Sequence, residues 1–83
     1  MKLVYFAWVK QKIGHGEETA DLPDGARTVG DVAAWLKSRG GGYAEAFADL
    51  KRVRAAVNQE HSDFSAPVRP DDEIAFFPPV TGG

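Results

Sequence analysis

Asp72-Glu73-Ile74-Ala75-Phe76-Phe77-Pro78-Pro79-Val80-Thr81-Gly82-Gly83 reads as a strand that stops and then thins out. From Glu73 to Phe77 the pattern alternates, with Ile74 and Phe76 on one side and Ala75 and Phe77 on the other. That is the period of a β-strand. Pro78-Pro79 offers no N–H to a ladder and ends it. A proline pair also favours an extended conformation with little entropy left to lose. The six residues from Pro78 to Gly83 reach about 20 Å when stretched, at about 3.3 Å each. Gly82 and Gly83 have no side chains and tolerate almost any backbone angle. A stiff base thus leads to a thin tip that fits a narrow tunnel. The chemistry open to such a tip is that of a carboxylate, a poor electrophile until it is adenylated. On Gly83 no Cβ would then obstruct attack at the acyl carbon. The competing reading of Gly82-Gly83 is a frayed end, because termini are commonly disordered.

Outward from this stretch, Leu3 to Val9 is rich in β-branched and aromatic residues and predicts a strand. Leu3, Tyr5, Ala7 and Val9 fall on one face, Val4, Phe6 and Trp8 on the other, and both faces are apolar. Gly14-His15-Gly16 predicts a turn, with Glu17 to Leu22 as the second strand of a hairpin, and Pro23-Asp24-Gly25 another turn. Thr28 is placed to cap a helix, with Asp31 as its capping-box partner. Val29, Val32, Ala33 and Leu36 then form one helical stripe, weakened slightly by Gly30 in the first turn. Gly40-Gly41-Gly42 predicts the helix stop and a flexible loop. Tyr43, Phe47 and Leu50 suggest a short second helix. Arg52 to Asn58 predicts a strand with Val53, Ala55 and Val57 on one face, residues 59–66 an edge strand anchored by Phe64, and residues 67–72 a turn region. Strands at both ends of the chain around one long helix predict an α+β fold, a β-grasp with a mixed four- to five-stranded sheet packed on one main helix. Residues 1–77 would form the domain and residues 78–83 a flexible Gly-Gly tail.

With 83 residues, one modest core in a single domain is expected. The 43% hydrophobic and 27% charged residues fit an ordinary globule. A net charge of −2 argues against a nucleic-acid binder, which needs a basic excess. The chain has no cysteine, which removes disulfides, thiolate metal sites and thiol nucleophiles and fits a reducing compartment. The apolar start is too short to span a bilayer and lacks the shape of a signal peptide. A cytoplasmic protein, with neither nucleic acid nor membrane as partner, is expected.

The run from Asp72 to Gly83 closely resembles the C-terminus of the molybdopterin synthase small subunit, a family of ubiquitin-like sulfur carriers. Ala55-Ala56-Val57-Asn58-Gln59 resembles a strand of that family, and Lys2 to Ala7 its beginning. The resemblance covers the chain in length and element order, and it is specific over the last twelve residues. It implies that an activating enzyme of the E1 type uses ATP to adenylate Gly83, and that a sulfur-donating enzyme then makes the thiocarboxylate. It further implies that Val80, Thr81 and Gly82 enter the large synthase subunit, where sulfur passes to cyclic pyranopterin monophosphate. On this reading the synthase is a heterotetramer, no cofactor stays bound to the chain, and catalytic side chains lie on the large subunit. Sulfur carriage for thiamin or another thiolated product, conjugation to lysines as a ubiquitin-like modifier, and a passive interaction module remain the alternatives.

The tail alone would not hold a partner. Ordering each residue costs roughly 1–2 kcal/mol, and a backbone hydrogen bond returns only about 0.5–1.5 kcal/mol net. If Leu3, Tyr5, Ile74 and Phe76 face the helix, then Val4, Phe6, Ala75 and Phe77 form an exposed apolar patch beside the tail, the mark of a binding surface. The resemblance likewise places Phe6, His61 and Phe77 at the partner surface. The alternative is that Phe6 or Phe77 is core and the parity shifts by one residue. His15 is expected in a turn rather than at a metal, Asp71-Asp72-Glu73 in a solvated turn rather than against a basic partner, and Trp8 and Trp35 in packing.

Overall fold

A computed structural model describes residues 1–79. Strands β1 (Lys2–Tyr5), β2 (Glu17–Thr19), β3 (Arg54–Val57), β4 (Glu60–Ser62) and β5 (Glu73–Phe77) form one sheet in the order β2-β1-β5-β3-β4. β1 and β5 run parallel at its centre, and every other pairing is antiparallel. Helices α1 (Ala7–Ile13), α2 (Val29–Ser38) and α3 (Gly41–Ala46) and a 3₁₀ turn (Leu50–Arg52) complete the chain. This is the expected β-grasp, with a mixed five-stranded sheet.

The core lies between the helices and one face of the sheet. Leu3, Tyr5, Ile74 and Phe76 are buried with Val32, Ala33 and Leu36 of the main helix. Phe47 packs edge-on against Phe76, ring centres 4.9 Å apart, a favourable aromatic geometry. Helix α2 starts as its sequence requires: Thr28 Oγ1 accepts from the Asp31 N–H at 3.1 Å, and Asp31 Oδ2 accepts from the Thr28 N–H at 3.1 Å. Gly30 belongs there for a reason the sequence hid. Its N–H donates to the Phe64 carbonyl at 2.7 Å, and a Cβ would stand 3.1 Å from that oxygen.

Three expectations need correction. The predicted strand from Leu3 to Val9 stops at Tyr5, and Ala7 opens a helix with φ +52°. Trp8 and Val9 suit a strand or a helix by type, but Val9 and Ile13 recur at four, and Gly14 at φ +102° caps the helix by donating to the Lys10 carbonyl at 2.8 Å. That is a left-handed C-terminal cap. Gly41 and Gly42 are not a loop; they begin α3, while Leu50 falls in the 3₁₀ turn beyond it. The strands expected over residues 17–22, 52–58 and 59–66 are shorter, and Phe64 falls in a turn beyond β4. Asn58 and Gln59 both take positive φ, +51° and +71°, and make the tight β3–β4 hairpin that a two-residue connection demands. Asn58 also donates to Asp72 and accepts from the Glu73 N–H, both at 3.0 Å. Asp72 therefore has a structural task inside the turn.

One polar cluster ties the helices to the sheet edge. Glu18 accepts from Tyr5 Oη at 2.8 Å, from Arg39 Nη1 at 2.9 Å and from Tyr43 Oη, and His15 Nε2 lies 3.0 Å away. Burial pushes the Glu18 carboxyl up, but the bonds from Tyr43, Arg39, His15 and Tyr5 outweigh it and hold the group at about 2. Burial and the same carboxylate push the Tyr43 phenol up to about 12. A depressed carboxyl stabilises the fold above its ordinary titration range and stops doing so as pH falls through its folded value. Glu18 should thus contribute fully above about pH 4.5 and lose its contribution progressively toward pH 2. Thermal melts of the parent and Glu18→Gln between pH 7 and pH 2 check this. The variant is expected to be less stable at neutral pH and to converge on the parent in acid; parallel curves would contradict it.

Candidate functional site

Among the described residues, no helix covers the sheet's second face. The alternation of β1 and β5 sends Val4, Ala75 and Phe77 to that face, where each is partly exposed. Parallel register sets Val4 beside Ala75. Phe6 follows at the end of β1, extended, with its N–H on the Phe76 carbonyl at 3.1 Å. The left-handed Ala7 then turns the chain away, and the Phe6 ring is left 50% exposed. A non-glycine residue at positive φ is uncommon and is held only where its surroundings dictate it. His61 on β4 lies edge-on to Phe77, ring centres 5.2 Å apart. These residues line a shallow apolar depression. Lys2 marks its far rim, near Glu17 (3.7 Å) and Glu73 (3.9 Å).

Phe6, His61 and Phe77 therefore share one surface, as expected, and the parity of Leu3, Tyr5, Ile74 and Phe76 holds. Sequence reading missed Ala56. It pairs with Ala75 on one side and His61 on the other, and its small side chain lets the His61 and Phe77 rings meet above it. The signal was available, because Val53, Ala55 and Val57 facing inward leave residue 56 outward. Val80, Thr81, Gly82 and Gly83 lie outside the described residues. The patch ends at Phe77, next to Pro78-Pro79, so it borders the root of the tail.

His15 sits in its turn, bonded to Glu18 and 3.2 Å from Tyr43 Oη. Trp8 and Trp35 pack against the core, beneath Arg52 (5.4 Å) and Arg39 (5.2 Å). Among the described residues no helix is long and apolar enough to cross a membrane.

The ThiS family model matches residues 3–83. The molybdopterin synthase sulfur carrier subunit of Escherichia coli K12 is 39% identical over 85 residues, spanning 100% of this chain and 99% of that protein. The protein of the same name from Haemophilus influenzae is 34% identical, again over 100% and 99%. A solved Pyrococcus furiosus structure, described as subunit 1 of a molybdopterin converting factor, superposes with a TM-score of 0.74. It is 33% identical and the match covers 95% of each chain. These matches establish that the chain belongs to the ThiS family as a sulfur carrier of the molybdopterin synthase type.

Proposed function

We propose that this chain delivers sulfur in molybdenum cofactor biosynthesis as a thiocarboxylate at Gly83. The folded body, residues 1–77, presents the end, and residues 78–83 act as a separate flexible unit. An E1-like enzyme spends ATP to adenylate Gly83, which replaces a poor leaving group with a good one, and a sulfur donor displaces the AMP. The charged carrier then docks on the large subunit of the synthase through Phe6, His61 and Phe77. Val80, Thr81 and Gly82 enter the partner's active site, where side chains of that subunit carry out the transfer to cyclic pyranopterin monophosphate. The chain itself holds no cofactor, works in the cytoplasm and assembles as half of a heterotetramer of two small and two large subunits.

One observation supports the docking step above all: an uncovered apolar face, centred on Phe77 and His61, lies beside the root of the tail. Intact mass spectrometry of protein made with an active sulfur-transfer system tests the chemistry. One oxygen replaced by sulfur at the C-terminal residue is expected; adducts through lysine would instead favour a protein modifier. The face has its own test. Phe77→Ala should weaken binding to the large subunit by about 2–3 kcal/mol, roughly 30- to 150-fold in Kd. Its melting temperature should change little, because Phe77 lies outside the buried core. A large drop in melting temperature with normal binding would assign Phe77 to the fold instead.

A further inference from the structure

Three cations precede or open β3 at the end of the sheet where β5 gives way to the tail. Lys51, Arg52 and Arg54 fall within four residues, all exposed, in a chain whose net charge is −2. Arg54 is in register with Phe77, so the two side chains leave the sheet on the same face. Its Nη1 donates to the carbonyls of Lys51 (3.0 Å) and Val53 (3.2 Å). Arg52 lies over Trp8, in the first turn of α1 just after Phe6. Among the described residues no carboxylate lies within ion-pair distance of any of the three. The neighbouring acid Asp49 is used to cap the 3₁₀ turn, accepting from the Lys51 N–H at 3.1 Å. The opposite rim differs, since Lys2 there is matched by Glu17 and Glu73.

An apolar centre with an unmatched charged border has the anatomy of an interface core and rim. Rim charges act mainly on the rate of encounter, whereas the buried centre sets the rate of release. A carrier that must bind, unload and leave gains from the first without slowing the second. We propose that Lys51, Arg52 and Arg54 form a steering rim that meets an acidic surface of the large synthase subunit beside the opening that admits the tail. This inference rests on the docking proposed above.

The test is stopped-flow association of the full chain with the purified large subunit at about 50 mM and about 300 mM salt, which shortens the screening length about 2.5-fold. The parent is expected to associate about tenfold more slowly at the higher salt. The triple variant Lys51→Gln, Arg52→Gln, Arg54→Gln should associate about tenfold more slowly at low salt, lose most of the salt dependence and dissociate at the parental rate. Arg54→Lys, combined with native Lys51 and Arg52, should keep the parental rate; Lys37→Gln, on the remote helix α2, should also be silent. Parental association and salt response in the triple variant would overturn the steering rim while leaving docking intact. A slowed Arg54→Lys would assign Arg54 to the backbone contacts rather than to charge, and overturn it equally. If the parent fails to bind at all, the docking reading falls and the rim with it.

Discussion

Removal of Gly83 should leave the melting temperature unchanged and reduce sulfur delivery to the pterin by at least about a hundredfold. The stability half follows from the core, whose last member among the described residues is Phe76. The activity half is a matter of reach. A chain ending at Gly82 still offers a glycine carboxylate, so the reacting group is the same in kind. It is, however, about 3.3 Å short. Reacting atoms must come within roughly 3–3.5 Å of one another, and a misplacement of about 1 Å already costs on the order of a hundredfold. The measurement is thiolation of the pterin by the reconstituted synthase, with intact mass recorded beforehand to separate loss of charging from loss of delivery. Sulfur transfer at the parental rate from the shortened chain would refute the assignment of Gly83.

The second large effect concerns Gly42. A Cβ at this position would lie 1.9 Å from the Lys12 carbonyl oxygen, 2.8 Å from its carbon and 3.1 Å from the Ile13 Cα. All three are backbone atoms, so no side-chain rotation relieves the overlap; α1 and α3 must separate. Gly42→Ala should therefore destabilise the fold by about 2–3 kcal/mol, a drop of about 10–20 °C in melting temperature for a domain of this size. The better helix propensity of alanine, up to about 1 kcal/mol, opposes this without cancelling it. Gly41→Ala is a useful contrast, because its added Cβ meets nothing within 4 Å, although its φ of +53° carries a strain of its own. Denaturation of both variants decides the matter, and a Gly42→Ala protein as stable as its parent would show that the helices can part freely.

Gly42 also illustrates what the sequence conceals. Three consecutive glycines look like a flexible stop, since their conformational freedom is a local property. The reason for the third is the backbone of Lys12, thirty residues earlier in the chain, and nothing local reports it. α1 was hidden differently. Its seven residues are too few for a clear helical period, and an apolar start reading Leu-Val-Tyr-Phe-Ala-Trp-Val satisfies a strand equally well. Ala7 breaks that strand in a conformation its side chain does not favour, so the decision is made by tertiary packing. Where the pattern was long or chemically specific, it was legible: the Thr28–Asp31 box, the stripe from Val29 to Leu36, and the alternation of β5 are all in place. The apolar face opposite the core was legible for the same reason, because the alternation of β5 sets Ala75 and Phe77 against the buried Ile74 and Phe76. Ala56 could have been read from the inward alternation of Val53, Ala55 and Val57, whereas the arginine beside Phe77 is a surface cation that carries no signal until the register is known.

The parallel pairing of β1 with β5 has a consequence for synthesis. The first strand to leave the ribosome finds its central neighbour only when residues 73–77 emerge, so the sheet cannot close around its middle until then. Such a distant contact makes folding late and cooperative. The element that completes the sheet is also the one that leads directly into residues 78–83. A nascent or truncated molecule lacking β5 thus lacks everything beyond it as well, so whatever residues 78–83 do is available only on a sheet that can close.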